Sequence, residues 1–155
     1  MSADEQATIR RIVDKDEIVD LVRRYSYCVD HKLYDEVAEL FTEDCVVDYG
    51  PGVGPPVQGR AAFRGMFGHP GGGFAVTSHH NANVFVTFDD DDHASVKVSV
   101  YAWHRRHDGS TADLWGYYHD TVVRDRVGWR MATRQLRVLA VEGWDIDWYP
   151  AIEER

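Results

Sequence analysis

The fold is decided by four consecutive segments: AVTSHHNANVFVTF (residues 75–88), HASVKVSVYAWHRRH (93–107), ADLWGYYHDTVVRD (112–125) and WRMATRQLRVLAVE (129–142). Apolar residues recur in them at every second position, which is the spacing of strands with one buried face. Acidic or glycine-containing turns separate the segments, so we expect successive strands to be antiparallel. Strands this long must twist and curl, and the resulting sheet has a concave side that other elements must fill.

The first half of the chain supplies helices for that concave side. After a short turn or helix over residues 4–12, a helix over residues 14–31 is predicted from the helical spacing of Ile18, Leu21, Val22, Tyr25, Cys28 and Val29. A second helix is expected over 33–41, a short strand over 45–49 and a third helix over 60–66. The pattern predicts a cone-shaped α+β fold, in which a strongly curved antiparallel sheet wraps around the N-terminal helices and encloses an internal pocket.

Length and composition bound the class of protein. The 155 residues, 44% of them hydrophobic, predict a single domain over residues 1–155 with a real core. A net charge of −9 opposes binding to nucleic acid or to an anionic membrane. The chain has no apolar run long enough to span a bilayer and no signal-peptide core, so a cytoplasmic location is expected. Cys28 and Cys45 are interpreted as core residues, and the histidine spacing does not predict a metal site.

Several short motifs carry a resemblance to a known superfamily. They are Val29-Asp30, Val47-Asp48-Tyr49, Thr77-Ser78-His79, His104 and Gly128-Trp129-Arg130. In these motifs and in the order of its elements over about residues 10–140, the chain resembles the SnoaL-like, or NTF2-like, superfamily, and within it the scytalone dehydratase-like lyases. The resemblance implies an enzyme without a cofactor that acts on a small hydrophobic substrate. It also implies a homo-oligomer, with a trimer favoured and a dimer possible.

The resemblance implies roles for five residues. Asp30 and His79 match a catalytic Asp–His pair, in which the carboxylate orients the imidazole for proton transfer. Tyr49 matches a tyrosine that holds the substrate carbonyl through water, and Tyr25 matches an active-site tyrosine. His104 matches a second active-site histidine, although a lone histidine on an apolar strand face is as often a core residue.

His80 is the alternative to His79 as the base. Strand parity places His80 on one face with Ala82 and Val84, whereas His79 aligns with Asn81 on the other. A bulge near Asn81 would bring His79 to the inner face, because one extra residue reverses the alternation. The register of the motif favours His79 as the base and leaves His80 as a substrate-binding candidate.

Tyr118 and Arg134 complete the candidate substrate-binding residues. Gly116 and Tyr118 stand where scytalone dehydratases carry a substrate-contacting serine and asparagine, so scytalone itself is not the expected substrate. Arg134 shares the apolar side of the last strand, where a guanidinium needs a carboxylate partner. Either an acidic residue of the first helix pairs with it as a structural strut, or it binds an anionic group of the substrate.

Two segments outside the core remain to be placed. Residues 143–155 carry three aromatic residues after the last strand, and exposed aromatic residues at this density are unfavourable. This tail is therefore expected to cover the pocket mouth or to contact another subunit. The glycine run at residues 71–73 precedes a strand rather than a helix, so it is interpreted as a mobile flap.

Three functions are compatible with these residues. The first is a dehydratase-type elimination on a small hydroxylated cyclic ketone or a related apolar ring compound, begun by proton abstraction at His79. The second is isomerisation or polyketide cyclisation with the same base. The third is a non-catalytic small-molecule-binding or assembly module, which predicts that Asp30 and His79 lie apart or that side chains fill the cavity.

Overall fold

The computed structural model describes residues 1–50, 52–68 and 73–144. Its helices are α1 (Ala3–Asp30), α2 (Tyr34–Glu39) and α3 (Arg60–Gly65). Its strands are β1 (Phe41–Asp48), β2 (Val57–Gln58), β3 (Val76–Phe88), β4 (His93–Arg105), β5 (Thr111–Asp125) and β6 (Gly128–Glu142). The strands form one curved, unclosed sheet in the order β2-β1-β6-β5-β4-β3, which confirms the predicted α+β class. No helix within the described ranges is both long enough and apolar enough to cross a membrane.

The antiparallel meander of β3 to β6 is the part of the fold that the sequence predicts best. Each strand pairs with its successor, and the bounds lie close to those expected from the alternation. The expected second helix is shorter, however, because β1 begins at Phe41 and runs parallel to β6. Phe41 is buried at a pairing irregularity opposite Met131, so a position interpreted as a helix face belongs to the sheet.

A single helix, α1, replaces the two helical segments expected before residue 31. It begins with a capping box, in which the Ser2 hydroxyl accepts from the Glu5 amide at 3.2 Å and the Glu5 carboxylate accepts from the Ser2 amide at 2.6 Å. Asp14, at which the helix over residues 14–31 was expected to begin, is a buried residue within α1. Its carboxylate lies 2.6 Å from the Arg124 guanidinium and thereby ties α1 to β5.

The core lies between α1 and the inner face of the sheet. One side of α1 is buried there, and the side chains that alternate inward along β4, β5 and β6 meet it. The central members of the core are Ile18, Val22, Phe41, Val47, Phe63, Val96, Val98, Val122 and Met131. Burial of this apolar surface supplies most of the driving force for folding. The C-terminal end of α1 lies against β3.

β3 contains the bulge that decides which of its histidines turns inward. Ala82 pairs with Ser99 and Phe85 pairs with Lys97, so β3 carries one more residue than β4 over this span. Asn83, inside it, has a φ of 50°. Upstream of the bulge the odd-numbered residues from 77 to 81 lie toward α1, and downstream the even-numbered residues from 84 to 88 are the partly buried ones. The predicted bulge is therefore confirmed.

A buried ion pair lies on the inner face between β5 and β6. Arg134 donates to Asp120 from Nε at 3.0 Å and from Nη2 at 2.6 Å, and both side chains are 0% exposed. The guanidinium carbon lies 3.9 Å from the centre of the Tyr25 ring and 4.1 Å from that of Tyr118. The partner expected on the first helix is on β5 instead, because Asp120 and Arg134 face each other directly in the ladder.

Replacing Arg134 with methionine should lower the free energy of unfolding by about 3–5 kcal/mol, because it leaves Asp120 charged, buried and uncompensated. The double variant Asp120→Leu/Arg134→Met removes both charges and should recover most of that loss. Urea unfolding of the wild type, both single variants and the double variant measures the coupling between the two residues. Additive losses in the double variant would contradict this account of the pair.

Candidate active site

A cavity of about 510 Å³ lies between the C-terminal end of α1, the segment that contains α2 and α3, and the inner face of the sheet. Much of its wall is apolar and aromatic, including Val29, Met66, Phe67, Phe74, Leu114 and Leu136. The polar residues on the wall are Lys32, Thr77, three histidines and four tyrosines. An apolar cavity with a few convergent polar groups is the usual form of a small-molecule site.

Asp30 and His79 are in contact at the cavity wall. Asp30 is the last residue of α1, and its Oδ1 lies 2.6 Å from Nδ1 of His79. The backbone amide of His79 donates to Oδ2 of Asp30 at 2.8 Å, and the Thr77 hydroxyl donates to Oδ1 at 2.8 Å. These hydrogen bonds fasten the end of the helix to the beginning of β3. They hold the imidazole, whose side chain is only 9% exposed, from one side.

The hydrogen bonds also determine which nitrogen of His79 is available. Burial alone would raise the pKa of Asp30, but the hydrogen bonds from His79 and Thr77 outweigh burial, and the pKa lies below its ordinary value. The carboxylate is therefore ionised at neutral pH and can only accept, so Nδ1 of His79 carries the proton. On the neutral ring, Nε2 keeps a lone pair. Because His79 lines the cavity, that lone pair is the basic group offered to a ligand.

His104 lies on β4 beside His79, with 5.6 Å between the ring centres. Burial, followed by the nearby His79 ring, lowers the pKa of His104 from its ordinary 6.5 to about 4, so the ring is neutral at neutral pH. Its Nδ1 lies 3.3 Å from the backbone oxygen of Ala112, which can only accept, so Nδ1 carries the proton. Nε2 of His104 is thus a hydrogen-bond acceptor, suited to bind a hydroxyl group rather than to release a proton.

Three neighbouring tyrosines, Tyr25, Tyr49 and Tyr118, lie on the cavity wall, and Tyr34 lines it as well. The hydroxyls of Tyr25 and Tyr49 are hydrogen-bonded to each other. Burial raises the pKa of all three phenols, and for Tyr25 the positive charge of Arg134 opposes part of this rise. The phenols therefore stay protonated at neutral pH. They can stabilise negative charge on a substrate oxygen by donating hydrogen bonds, but they cannot serve as bases.

Two of the residues expected to bind substrate lie away from the cavity wall. His80 is exposed on the other side of β3, where its Nε2 lies 3.0 Å from the Ser78 hydroxyl and its ring packs beside Tyr101. The bulge lies downstream of His80, so strand alternation at this end turns His79 inward. Arg134 lies behind the rings of Tyr25 and Tyr118, engaged with Asp120. The expectation that His80 and Arg134 bind substrate is therefore revised: His80 is an outer-face residue and Arg134 supports the phenols.

Some residues of the wall carry no signal in the sequence that would single them out. Lys32 and His107 lie in turns, and Phe74 precedes β3 and packs on His104 with 4.4 Å between ring centres. Leu114 could have been found, because it shares the inward parity of β5.

Trp144, the only described aromatic residue of the predicted tail, lines the cavity and donates to the backbone oxygen of Asp113 at 2.9 Å. Residues 145–155 of that tail, and residues 71 and 72 of the glycine run, lie outside the described residues.

The cysteines and the other potential ligands are placed for packing. Cys28 and Cys45 are buried free thiols within the core cluster. Burial raises the pKa of each thiol, so neither is activated as a thiolate. Across the described ranges, no three His, Cys, Asp or Glu side chains are grouped as they would be to hold a metal ion.

Comparison with known proteins gives consistent results. The family model of the SnoaL-like domain matches residues 10–135. The uncharacterized protein Rv2910c of Mycobacterium tuberculosis is 30% identical over 132 residues, which cover 82% of this chain and 86% of that protein. A provisionally assigned scytalone dehydratase of Novosphingobium aromaticivorans is 32% identical, with a TM-score of 0.86 over 96% of this chain and 99% of that one. The hexachlorocyclohexane dehydrochlorinase LinA-type3 of Novosphingobium barchaimii shares the fold, with 15% identity and a TM-score of 0.75 over 87% and 92% of the two chains.

The low pKa of His104 predicts a pH dependence of stability. Because the pKa is about 4 in the folded protein against 6.5 ordinarily, the unfolded chain binds more protons between these values. Stability should therefore fall as the pH is lowered from 6.5 toward 4. His104→Gln should reduce this slope by up to about 1.4 kcal/mol per pH unit. Urea unfolding of both proteins across this range measures the difference, and equal slopes would show that His104 is not a buried neutral ring.

Proposed function

The chain belongs to the SnoaL-like domain family, and on that premise we propose that it is a lyase that requires no cofactor. It eliminates water from a small hydroxylated cyclic ketone or a related apolar ring compound. The family includes lyases and isomerases and binds small hydrophobic ligands. The observation that carries the proposal is the His79 imidazole, which is bonded to Asp30 at 2.6 Å and lines an apolar cavity.

The first step of the proposed reaction is removal of a proton from the carbon next to the substrate carbonyl. Nε2 of His79 takes this proton, and the imidazolium that forms is stabilised by the Asp30 carboxylate at Nδ1. The electron pair of the C–H bond moves to the carbonyl oxygen and gives an enolate. The hydroxyl pair of Tyr25 and Tyr49 donates a hydrogen bond to that oxygen, and one well-placed donor contributes about 3–4 kcal/mol to such a transition state.

The second step expels the hydroxyl group. The enolate electrons re-form the carbonyl and make a carbon–carbon double bond, while the carbon–oxygen bond of the leaving group breaks. The imidazolium of His79 returns its proton to the departing oxygen, so water leaves and the neutral base is restored. Nε2 of His104 accepts a hydrogen bond from the same hydroxyl and orients it. A neutral His104 with its Nδ1 proton engaged by Ala112 favours His79 over His104 as the proton donor.

The similarity to the Novosphingobium protein supports an elimination, but the wall near β5 argues for a different substrate. By the resemblance of the sequences, Gly116 and Tyr118 correspond to a serine and an asparagine of scytalone dehydratases. A Cβ on Gly116 would collide with the backbone oxygen of Arg137, so glycine is required there by the close approach of β6. Tyr118 has its ring in the wall. Tyr118 thus presents a phenol ring instead of an asparagine amide to the cavity, whereas Gly116 is not among the wall residues.

Specific observations distinguish elimination from the two alternative functions. Isomerisation or cyclisation would begin with the same proton abstraction and would differ by retaining the substrate hydroxyl. A binding module was expected to show Asp30 and His79 apart, or a filled cavity. The contact of 2.6 Å between Asp30 Oδ1 and His79 Nδ1 and the cavity volume of about 510 Å³ both favour catalysis over a non-catalytic binding module.

Exchanging the base tests the proposal directly. A panel of hydroxylated cyclic ketones in D₂O, followed by NMR, reports exchange of the proton next to the carbonyl and loss of the hydroxyl. On a substrate found in this panel, His79→Gln should lower turnover by about 10²–10⁴-fold, because the base is lost while the fold is kept. His80→Gln, the matched substitution at the adjacent exposed position, should retain turnover. Full activity of His79→Gln would refute the role of His79, and exchange without loss of the hydroxyl would favour the isomerase or cyclase.

The phenol pair gives an independent prediction. Tyr49→Phe removes a donor to the enolate oxygen and should lower kcat by about 10²-fold, with a smaller effect on KM because the charge develops only in the transition state. Tyr117→Phe removes a hydroxyl on the outer face of β5 and serves as the matched control. An unchanged kcat in Tyr49→Phe would exclude that phenol from enolate stabilisation.

A further inference from the structure

Lys32 occupies an unusual backbone position beside the candidate active site. It follows the end of α1 and has a φ of 58°, the left-handed region that glycine or asparagine adopts at least cost. Two hydrogen bonds hold this turn, from the Lys32 amide to the Val29 oxygen at 3.1 Å and from the Leu33 amide to the Cys28 oxygen at 2.9 Å. A lysine in a conformation that favours glycine suggests that its side chain is needed there.

The side chain of Lys32 is exposed but also lines the cavity. No aspartate or glutamate is found among the described residues of the cavity wall. Nor does any described carboxylate lie within ion-pair distance of Lys32, and the nearby Asp30 is engaged by His79 and Thr77. In a chain of net charge −9, the wall thus includes a lysine without a described acidic partner.

We propose that Lys32 binds a carboxylate group on the substrate, so that the preferred ligand is an anionic ring compound rather than a neutral one. This inference rests on the proposed function, because it describes the ligand of the same cavity. A carboxylate suits the site, because the ammonium supplies a charge-assisted hydrogen bond and the apolar wall covers the ring. The exposed His107, also on the wall, is a second group able to donate to the same anion.

Because the whole chain is negatively charged, Lys32 matters more for the binding of an anionic ligand. A net charge of −9 repels an anionic ligand at long range, so affinity for a carboxylate must come from a group at the cavity itself. A purely structural role for Lys32 would be to complement the negative C-terminal end of the α1 dipole. That role predicts a loss of stability on substitution but no preference among ligands, and the two can be separated.

A tetralone carrying a carboxylate on its aromatic ring, and the corresponding carboxamide, provide the test. They have nearly the same size and differ in charge, and neither has a hydroxyl to eliminate, so calorimetry measures binding without turnover. The wild type should bind the carboxylate more tightly than the amide. Lys32→Met should weaken carboxylate binding by about fivefold and change amide binding by less than about twofold, as expected for one exposed charge pair. Lys32→Arg should keep the preference, and Lys15→Met, an exposed lysine of α1, is the matched control.

Each outcome supports or overturns the carboxylate site. Equal binding of the two tetralones by the wild type, no binding of either, or equal losses for both in Lys32→Met would overturn it. A lower Tm in Lys32→Met with an unchanged preference would assign the lysine to the helix end alone. None of these results bears on proton abstraction, which is judged by the turnover of His79→Gln, so failure of the carboxylate site and failure of the lyase function are distinguishable.

Discussion

The hydrogen bond between Asp30 and His79 is the interaction on which the rest of the site depends. It joins the last residue of a long helix to the second half of the chain, where the sheet begins its meander. The same carboxylate also accepts from the His79 amide and the Thr77 hydroxyl, so the helix end, the strand and the imidazole share one anchor. Any displacement of α1 relative to β3 would break several hydrogen bonds to a partly buried charge at once.

A buried ion pair holds two of the cavity tyrosines in position. The Asp120–Arg134 pair is buried behind Tyr25 and Tyr118 and places a cation against both ring faces. The two fully buried charges of the sheet, Asp120 and Arg134, are thus paired with each other, while most polar groups of the cavity wall are imidazoles and phenols. Neutral donors and acceptors cost much less to bury than charges do, yet they respond strongly to charge that develops in an apolar cavity. This division explains how an apolar cavity can still accommodate acid–base chemistry.

The sequence predicted the sheet well, because strict alternation over long segments specifies both strand bounds and the buried face. It predicted the bulge near Asn81 from the conflict between the motif and strand parity at His79. It did not predict that α1 is continuous, because Asp14 resembles a helix start and only the tertiary pairing with Arg124 shows its role. The partner of Arg134 was also missed, since it depends on the register of two strands. Lys32 lies in a turn, where neither periodicity nor spacing carries information about orientation.

The proposed chemistry requires that the His79 ring is held with its proton on Nδ1 and offers Nε2 to the cavity. The most direct measurement is a two-dimensional ¹⁵N–¹H NMR spectrum of the histidine side chains, recorded with the rings neutral, in the wild type and in Asp30→Ala. A single Nδ1-protonated tautomer is expected for His79 in the wild type, and that preference should be lost when the carboxylate is removed. A His79 ring protonated on Nε2, or one that exchanges between tautomers as a free imidazole does, would show that Asp30 does not fix the proton on Nδ1.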